Sequence, residues 1–128
     1  MSYVYYNPNP KYNRVGDCVI RAITKALRSD WDNVFLDIAA EGFEEKDMPS
    51  SDNVWGKYLF KKGFRRNVIP NDCPDCYTIR DFSYDHPHGT YILVTSERNH
   101  IVCVDNGDVY DTFDSSDEAP IYYWRREY

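Results

Sequence analysis

Three residues of this chain, Cys18, His100 and Asp111, have the types and placement that nucleophilic chemistry needs. The last two are tied together by the turn between them. Asn106-Gly107 is a strong signal for a two-residue type I′ hairpin. With those two residues at the tip, Val104 stands opposite Val109, Val102 opposite Asp111 and His100 opposite Phe113. Side chains alternate along a strand, so His100 and Asp111 fall on one side as diagonal neighbours, roughly 7–8 Å apart at the backbone. An imidazole and a carboxylate can hydrogen-bond across that gap. A histidine oriented in this way lacks only a thiol or hydroxyl whose proton it can take. Cys18 answers that need at the predicted start of the first helix, where unpaired N–H groups and the positive dipole end favour a thiolate. Backbone donors in the same turn suit the oxyanion of a tetrahedral intermediate.

The elements that must hold these groups are legible in the periodicity. Val19, Ile20, Ala22, Ile23, Ala26 and Leu27 give the run from Cys18 to Leu27 one apolar stripe, the mark of an amphipathic helix entered at Gly16-Asp17. Ser29 or Asp30 caps a second helix with Trp31, Val34, Phe35, Ile38 and Ala39 on a face, ended by Gly42. Ser50 or Ser51 caps a third, carrying Val54, Trp55, Tyr58 and Leu59 and stopping at Gly63. A strand from Arg65 to Ile69 follows. Thr78-Ile-Arg-Asp81 resembles a capping box and opens a short helix closed by Pro87 and Gly89. From Thr90 the period changes to that of strands: Thr90 to Thr95, His100 to Asp105, Asp108 to Phe113 and Ile121 to Trp124. Helices first and an antiparallel meander second predict an α+β fold, N-terminal helices packed on one face of a C-terminal antiparallel sheet.

Composition narrows the field of functions. The 128 residues carry a formal charge of −6, which argues against a nucleic-acid backbone as ligand, because phosphate contacts draw on clustered Lys and Arg. No stretch approaches the roughly 18 apolar residues of a membrane span, and the start has no apolar segment behind a basic one. The expectation is a single domain over residues 1–128, cytoplasmic, without nucleic-acid or membrane partners and with its four cysteines reduced. Charge comes in blocks. Residues 1–28 hold five cations and one acid, whereas residues 29–53 hold one cation and eight acids.

The run Gly16-Asp17-Cys18-Val19-Ile20-Arg21-Ala22-Ile23 resembles the cysteine box of papain-like cysteine peptidases, and is especially similar to that of ovarian-tumour-type deubiquitinases. The stretch His100 to Asp111 is similar to the His-strand-turn-strand-Asp segment of bacteriocin-processing and cell-wall-directed members. Order and spacing follow the superfamily over residues 9–124. The resemblance implies a minimal papain-like fold and a cysteine protease or related hydrolase acting on a peptide or protein substrate, with Cys18 as nucleophile, His100 as base and acid, Asp111 as its orienter, and no cofactor. It also implies an origin in bacteriophages or low-GC Gram-positive bacteria, with a host or phage protein as a further partner. The family places a Gln, an oxyanion donor, six residues before the nucleophile. That position is Tyr12 here, so the neighbouring amide, Asn13, is the implied substitute.

Other readings compete for the same residues. A catalytically silent papain-like domain that binds a protein through its acidic, Tyr-rich surface keeps every pattern above. Cys73-Pro-Asp-Cys76 with His86 and His88 has the composition of a zinc site, but a single residue between the imidazoles departs from the usual H-x3–5-H spacing. A loop before a capped helix is therefore preferred to a zinc-supported binding module. Asp114 is second to Asp111 as partner of His100, and Cys103, by strand parity, faces away from His100 as a small core residue. Lys61-Lys62 and Arg65-Arg66 read as the solvated end of a helix. The Tyr-rich ends, Tyr3 to Tyr6 and Tyr122 to Tyr128, are expected to pack on each other or to form a recognition surface.

Overall fold

The computed structural model describes residues 2–69, 76–95 and 100–126. In chain order it holds β1 (Tyr3–Tyr5), α1 (Cys18–Leu27), α2 (Trp31–Glu45), α3 (Asp52–Lys61), β2 (Phe64–Val68), α4 (Ile79–Asp85), β3 (Thr90–Thr95), β4 (Ile101–Asp105), β5 (Asp108–Asp111) and β6 (Pro120–Arg126). The strands form one sheet in the order β1-β5-β4-β3-β6-β2. The fold is α+β, with helices mostly in the first half and strands mostly in the second.

The amphipathic stripe of α1 does what its period predicts. Ile20, Ile23 and Ala26 pack with Ile92 and Val94 of β3, Ile101 and Cys103 of β4, and the buried sides of α2 and α3. Each fully buried Ile, Leu or Phe of this core contributes about 1.5–3 kcal/mol relative to exposure. Asp30 caps α2 by accepting from the Asn33 N–H at 2.8 Å. The Thr78 box of α4 is complete, with its hydroxyl and the Asp81 carboxylate each taking the other's backbone N–H. Asn106 and Gly107 have φ of 50° and 81°, the left-handed pair that a type I′ turn demands. The expected register follows, with Val104 opposite Val109.

Several expectations are corrected. Gly42 does not end α2, which runs to Glu45 and stops at Lys46 in the left-handed region. A Cβ on Gly42 would meet the carbonyl oxygen of Asp47 at 2.8 Å, so this glycine permits a close return of the chain rather than a stop. Helices cover both faces of the sheet: α1, α2 and α3 pack on one, while α4 places Ile79 and Phe82 against Leu93, Val102, Val104 and Val109 on the other. The sheet is mixed, because β1 runs parallel to β5. That pairing also separates the two Tyr-rich ends, since β1 and β6 have β5, β4 and β3 between them. Tyr128 lies outside the described residues.

Candidate active site

Cys18 is the first residue of α1, half-buried and a free thiol. Its N-cap, Asp17, makes no capping bond with its side chain, so the N–H groups of the first turn keep the open character of a helix start. The thiol is within reach of the His100 ring and of the Ile101 backbone, both of which stabilise its anion. His100 stands immediately before β4 and is buried. Its Nε2 donates to Asp111 Oδ2 at 2.5 Å, which leaves Nδ1 as the nitrogen for the sulfur. The diagonal contact expected from the hairpin is thus made, at the end of the β4–β5 ladder, where α1 reaches both strands. Phe113 lies beside the imidazole, its ring centroid 5.0 Å away.

Asp111 is fully buried and held from four sides. Besides His100, its Oδ2 accepts from the Ser115 hydroxyl at 2.7 Å, and its Oδ1 accepts from the Thr112 N–H at 2.8 Å and from Arg21 Nη2 at 2.9 Å. Arg21, itself 5% exposed, donates its other terminal nitrogen to Asp17 Oδ1 at 2.6 Å, and Asp17 Oδ2 accepts from the Trp31 indole N–H at 2.9 Å. A buried guanidinium is tolerated only with such complete pairing. Helical geometry sets this up: Asp17 and Arg21 are four apart, Cys18 and Arg21 three apart, so thiol and guanidinium lie on neighbouring parts of one face.

Electrostatics follow from these contacts. Burial pushes the Cys18 thiol up, but the His100 and Ile101 hydrogen bonds and the charges of His100 and Arg21 outweigh it, leaving the thiol below its ordinary 9.0. Burial pulls His100 down, and bonding to Asp111 and Cys18 more than reverses this, raising it from 6.5 to about 9. Asp111 is pushed up by burial and held below the usual carboxylate value by His100, Ser115 and Arg21. The arrangement favours a thiolate beside an imidazolium. Cys103 is the opposite case: wholly enclosed and beside Asp105, its thiol is pushed far up.

Other singled-out residues stand apart from this cluster. Asn13 is exposed, and its carbonyl oxygen accepts from the Asn7 side chain at 3.2 Å. The buried amide of this loop is Asn9, whose Oδ1 takes the Lys11 N–H at 2.9 Å. Asp114 is exposed and accepts from the Ser116 N–H, while Asp111 takes the His100 bond. His86 stacks on Phe82 at 3.8 Å and its Nδ1 bonds the Phe82 carbonyl, and His88 is exposed. Cys73 lies outside the described residues. Cys76 is disulfide-bonded, contrary to the expectation of reduced thiols, and among the described residues no three His, Cys, Asp or Glu side chains converge as metal ligands.

Sequence reasoning missed Arg21, Asp17, Trp31 and Ser115 as members of the site. The available signal was Arg21 itself, a cation inside the apolar run of α1, which needs buried carboxylates if the helix is to pack. Comparison with protein-family models, curated proteins and solved structures finds no match, so the chemistry of the site rests on its own geometry.

Proposed function

We propose that the chain is a small papain-like thiol hydrolase that cleaves peptide or isopeptide bonds. The observation that carries this reading is the His100 ring bonded to a fully buried Asp111, with the Cys18 thiol close enough for His100 to stabilise its anion. Cys18 thiolate attacks the carbonyl carbon, forming a C–S bond, while N–H groups at the start of α1 steady the oxyanion. The His100 imidazolium then gives its Nδ1 proton to the amine as the C–N bond breaks. Water, deprotonated by the now neutral His100, attacks the thioester and releases the acid, and the sulfur leaves as thiolate beside a restored imidazolium. Asp111 keeps Nε2 protonated and the ring in place throughout, with no cofactor required.

The test is alkylation by iodoacetamide. Cys18 should react selectively, and His100→Ala should slow it by about 100-fold or more, the lower range for a positioned acid–base group. A Cys18 that reacts no faster than an ordinary thiol, with or without His100, sinks the enzymatic reading in favour of a silent protein-binding domain of the same architecture.

A further inference from the structure

β2 is an outer strand of the sheet. One of its sides is laddered to β6, and among the described residues no strand pairs with the other. The Ile69 N–H bonds the Ile121 carbonyl at 3.4 Å, one step beyond the Val68–Tyr122 pair. Backbone groups alternate in direction along an antiparallel strand. Asn67 and Arg65 therefore also turn theirs to β6, while Arg66 and Val68 turn theirs to the open edge. Both of these residues are exposed, Val68 by 72%.

The cations expected to form one solvated helix end divide here. Lys57 and Lys61 belong to α3 and are paired with Glu45 and Glu41. Arg65 and Arg66 belong to β2 and, among the described residues, meet no carboxylate. Arg66 lies over the Tyr122 ring at 4.0 Å. Arg65 lies over the Phe60 ring at 3.9 Å and donates to the Phe60 and Phe64 carbonyls at 3.2 and 2.8 Å. Arg125 is exposed, stands directly opposite Arg65 in the ladder, and likewise meets no acid among the described residues. Like charges facing each other across a sheet cost stability, yet in a chain of net charge −6 three arginines gather at one edge without neutralisation. A guanidinium held against a ring keeps its N–H fork available and pre-oriented for a carboxylate.

We propose that the β2 edge is the docking site for an acidic, extended segment of a partner protein, which joins the sheet as a further strand. Side chains of such a strand alternate between the two faces of the sheet. Arg66 shares the α1–α3 face with Trp124, its partner in the ladder, and Arg65 and Arg125 share the α4 face. Two consecutive acids therefore match the edge, one carboxylate reaching Arg66 and the next reaching Arg65 and Arg125. On the Arg66 side a hollow of about 430 Å³, lined by Gly56, Phe60, Arg66, Tyr122 and Trp124, gives room to the stem of the first acid. The acid in its wall, Asp52, is occupied by the Tyr122 hydroxyl at 3.2 Å. Charged side chains on an edge ordinarily keep other strands away. These arginines turn away basic strands, and the β2 of a second copy, while an acidic strand gains an ion pair on each face. β6 and β3 lie between β2 and β4, about 14 Å at three interstrand spacings, so this site is apart from the thiol and stands whether or not Cys18 is catalytic.

The probe is a short fluorescent peptide of Thr and Val around a central Glu-Glu pair, added to the full chain and followed by anisotropy and by NMR-detected amide exchange. It should bind, and exchange of the Arg66 and Val68 amides should slow by about 10-fold or more, while the Arg65 and Asn67 amides, already bonded to β6, change little. Arg66→Glu and Arg65→Glu should each weaken binding by about 10-fold or more. The same peptide N-methylated at both glutamates keeps its charge and loses its strand hydrogen bonds, so it should bind at least about 10-fold less tightly; a Lys-Lys peptide should not bind. Absence of binding, equal binding of the N-methylated or Lys-Lys peptide, or Arg66 and Val68 amides that exchange as fast with peptide as without it would each overturn the strand site. Equal affinity for a DNA oligonucleotide would overturn it as well, in favour of a patch for any polyanion.

Discussion

Arg21–Asp111 and Arg28–Asp105 both tie α1 to the β4–β5 hairpin, one near each end of the helix. Their partners are arranged alike. Each aspartate also takes a hydroxyl at 2.7 Å, from Ser115 at Asp111 and from Thr90 at Asp105, and each stands near a cysteine. What differs is water. The Arg21 and Asp111 side chains are 6% and 1% exposed, whereas that of Arg28 is 57% exposed at 3.1 Å from Asp105. In the buried pair the guanidinium engages two carboxylates and frees one Asp111 oxygen for His100, and the thiol at the end of that line is made acidic. In the outer pair Arg28 Nη2 spans both oxygens of Asp105, and the neighbouring Cys103 is pushed the other way by its burial and by that carboxylate. The same ion pair thus serves as a clamp where solvent reaches it and, where solvent is excluded, as part of a line that ends at an acidified thiol.

The most direct way to break this contrast is to remove each arginine in turn. Arg21→Met leaves the buried Asp17 without a cation and Asp111 with His100 alone, and is expected to lower stability by about 3–5 kcal/mol. Arg28→Met removes an exposed partner and is expected to cost at most about 1 kcal/mol, a loss that shrinks further as salt rises. Urea unfolding of both variants measures the difference, and equal losses would erase the distinction drawn between the two ends.

How far this was legible in the residues varies with distance along the chain. The turn at Asn106-Gly107 fixes the register of β4 and β5 locally, and the register brings His100 to Asp111. The period of α1 sets its start at Cys18 for the same reason. Contacts that cross the fold left no such mark. The three residues of β1 have too short a pattern to announce a parallel pairing with β5, and nothing in β6 says that it lies between β3 and β2. Side chains such as Arg21 and Ser115 become meaningful only once the carboxylate they meet is known. Gly42 shows the limit of local rules, since a glycine after an apolar run has the signature of a helix end, yet here it makes room for the Asp47 carbonyl.

The two thiols sharpen the comparison through pH. Cys18 should be alkylated with a midpoint below 9.0, and in His100→Ala, where only Ile101 and Arg21 still oppose burial, the midpoint should move up. Cys103 should stay unlabelled across the range in which the protein is folded. Stability carries the same signature with a definite sign. His100 is raised from 6.5 to about 9, so its contribution is fully present below pH 6.5 and is lost as pH rises through about 9. Asp111 is lowered from 3.8, so its contribution is present above that value and is lost as pH falls through the folded value beneath it. Replacing Asp111 by Asn should reduce the alkaline loss that His100 causes to the part that Cys18 sustains. Unfolding free energies for Asp111→Asn that still fall through pH 9 as steeply as in the unmodified chain would contradict the assignment of that loss to the His100–Asp111 bond.

The finest distinction is between the two hydroxyls. Ser115→Ala removes a bond to a carboxylate with no water to replace it, and a hydrogen bond to a charged group contributes about 1.5–3 kcal/mol. Its loss should also raise Asp111, because the serine is one of the groups holding that carboxylate down, and so move the acid limb of the stability curve to higher pH. Thr90→Val removes a bond of equal length from Asp105, but there Arg28 still spans both oxygens, so the cost should be smaller, about 1 kcal/mol or less. The readouts diverge as well. Only the serine variant should change the pH dependence of Cys18 alkylation, since Ser115 reaches the thiol through Asp111 and His100, whereas Thr90 touches an aspartate that has no histidine beyond it. A shifted alkylation profile in Thr90→Val, or an unshifted one in Ser115→Ala, would mean that the buried end is no better insulated than the wet one.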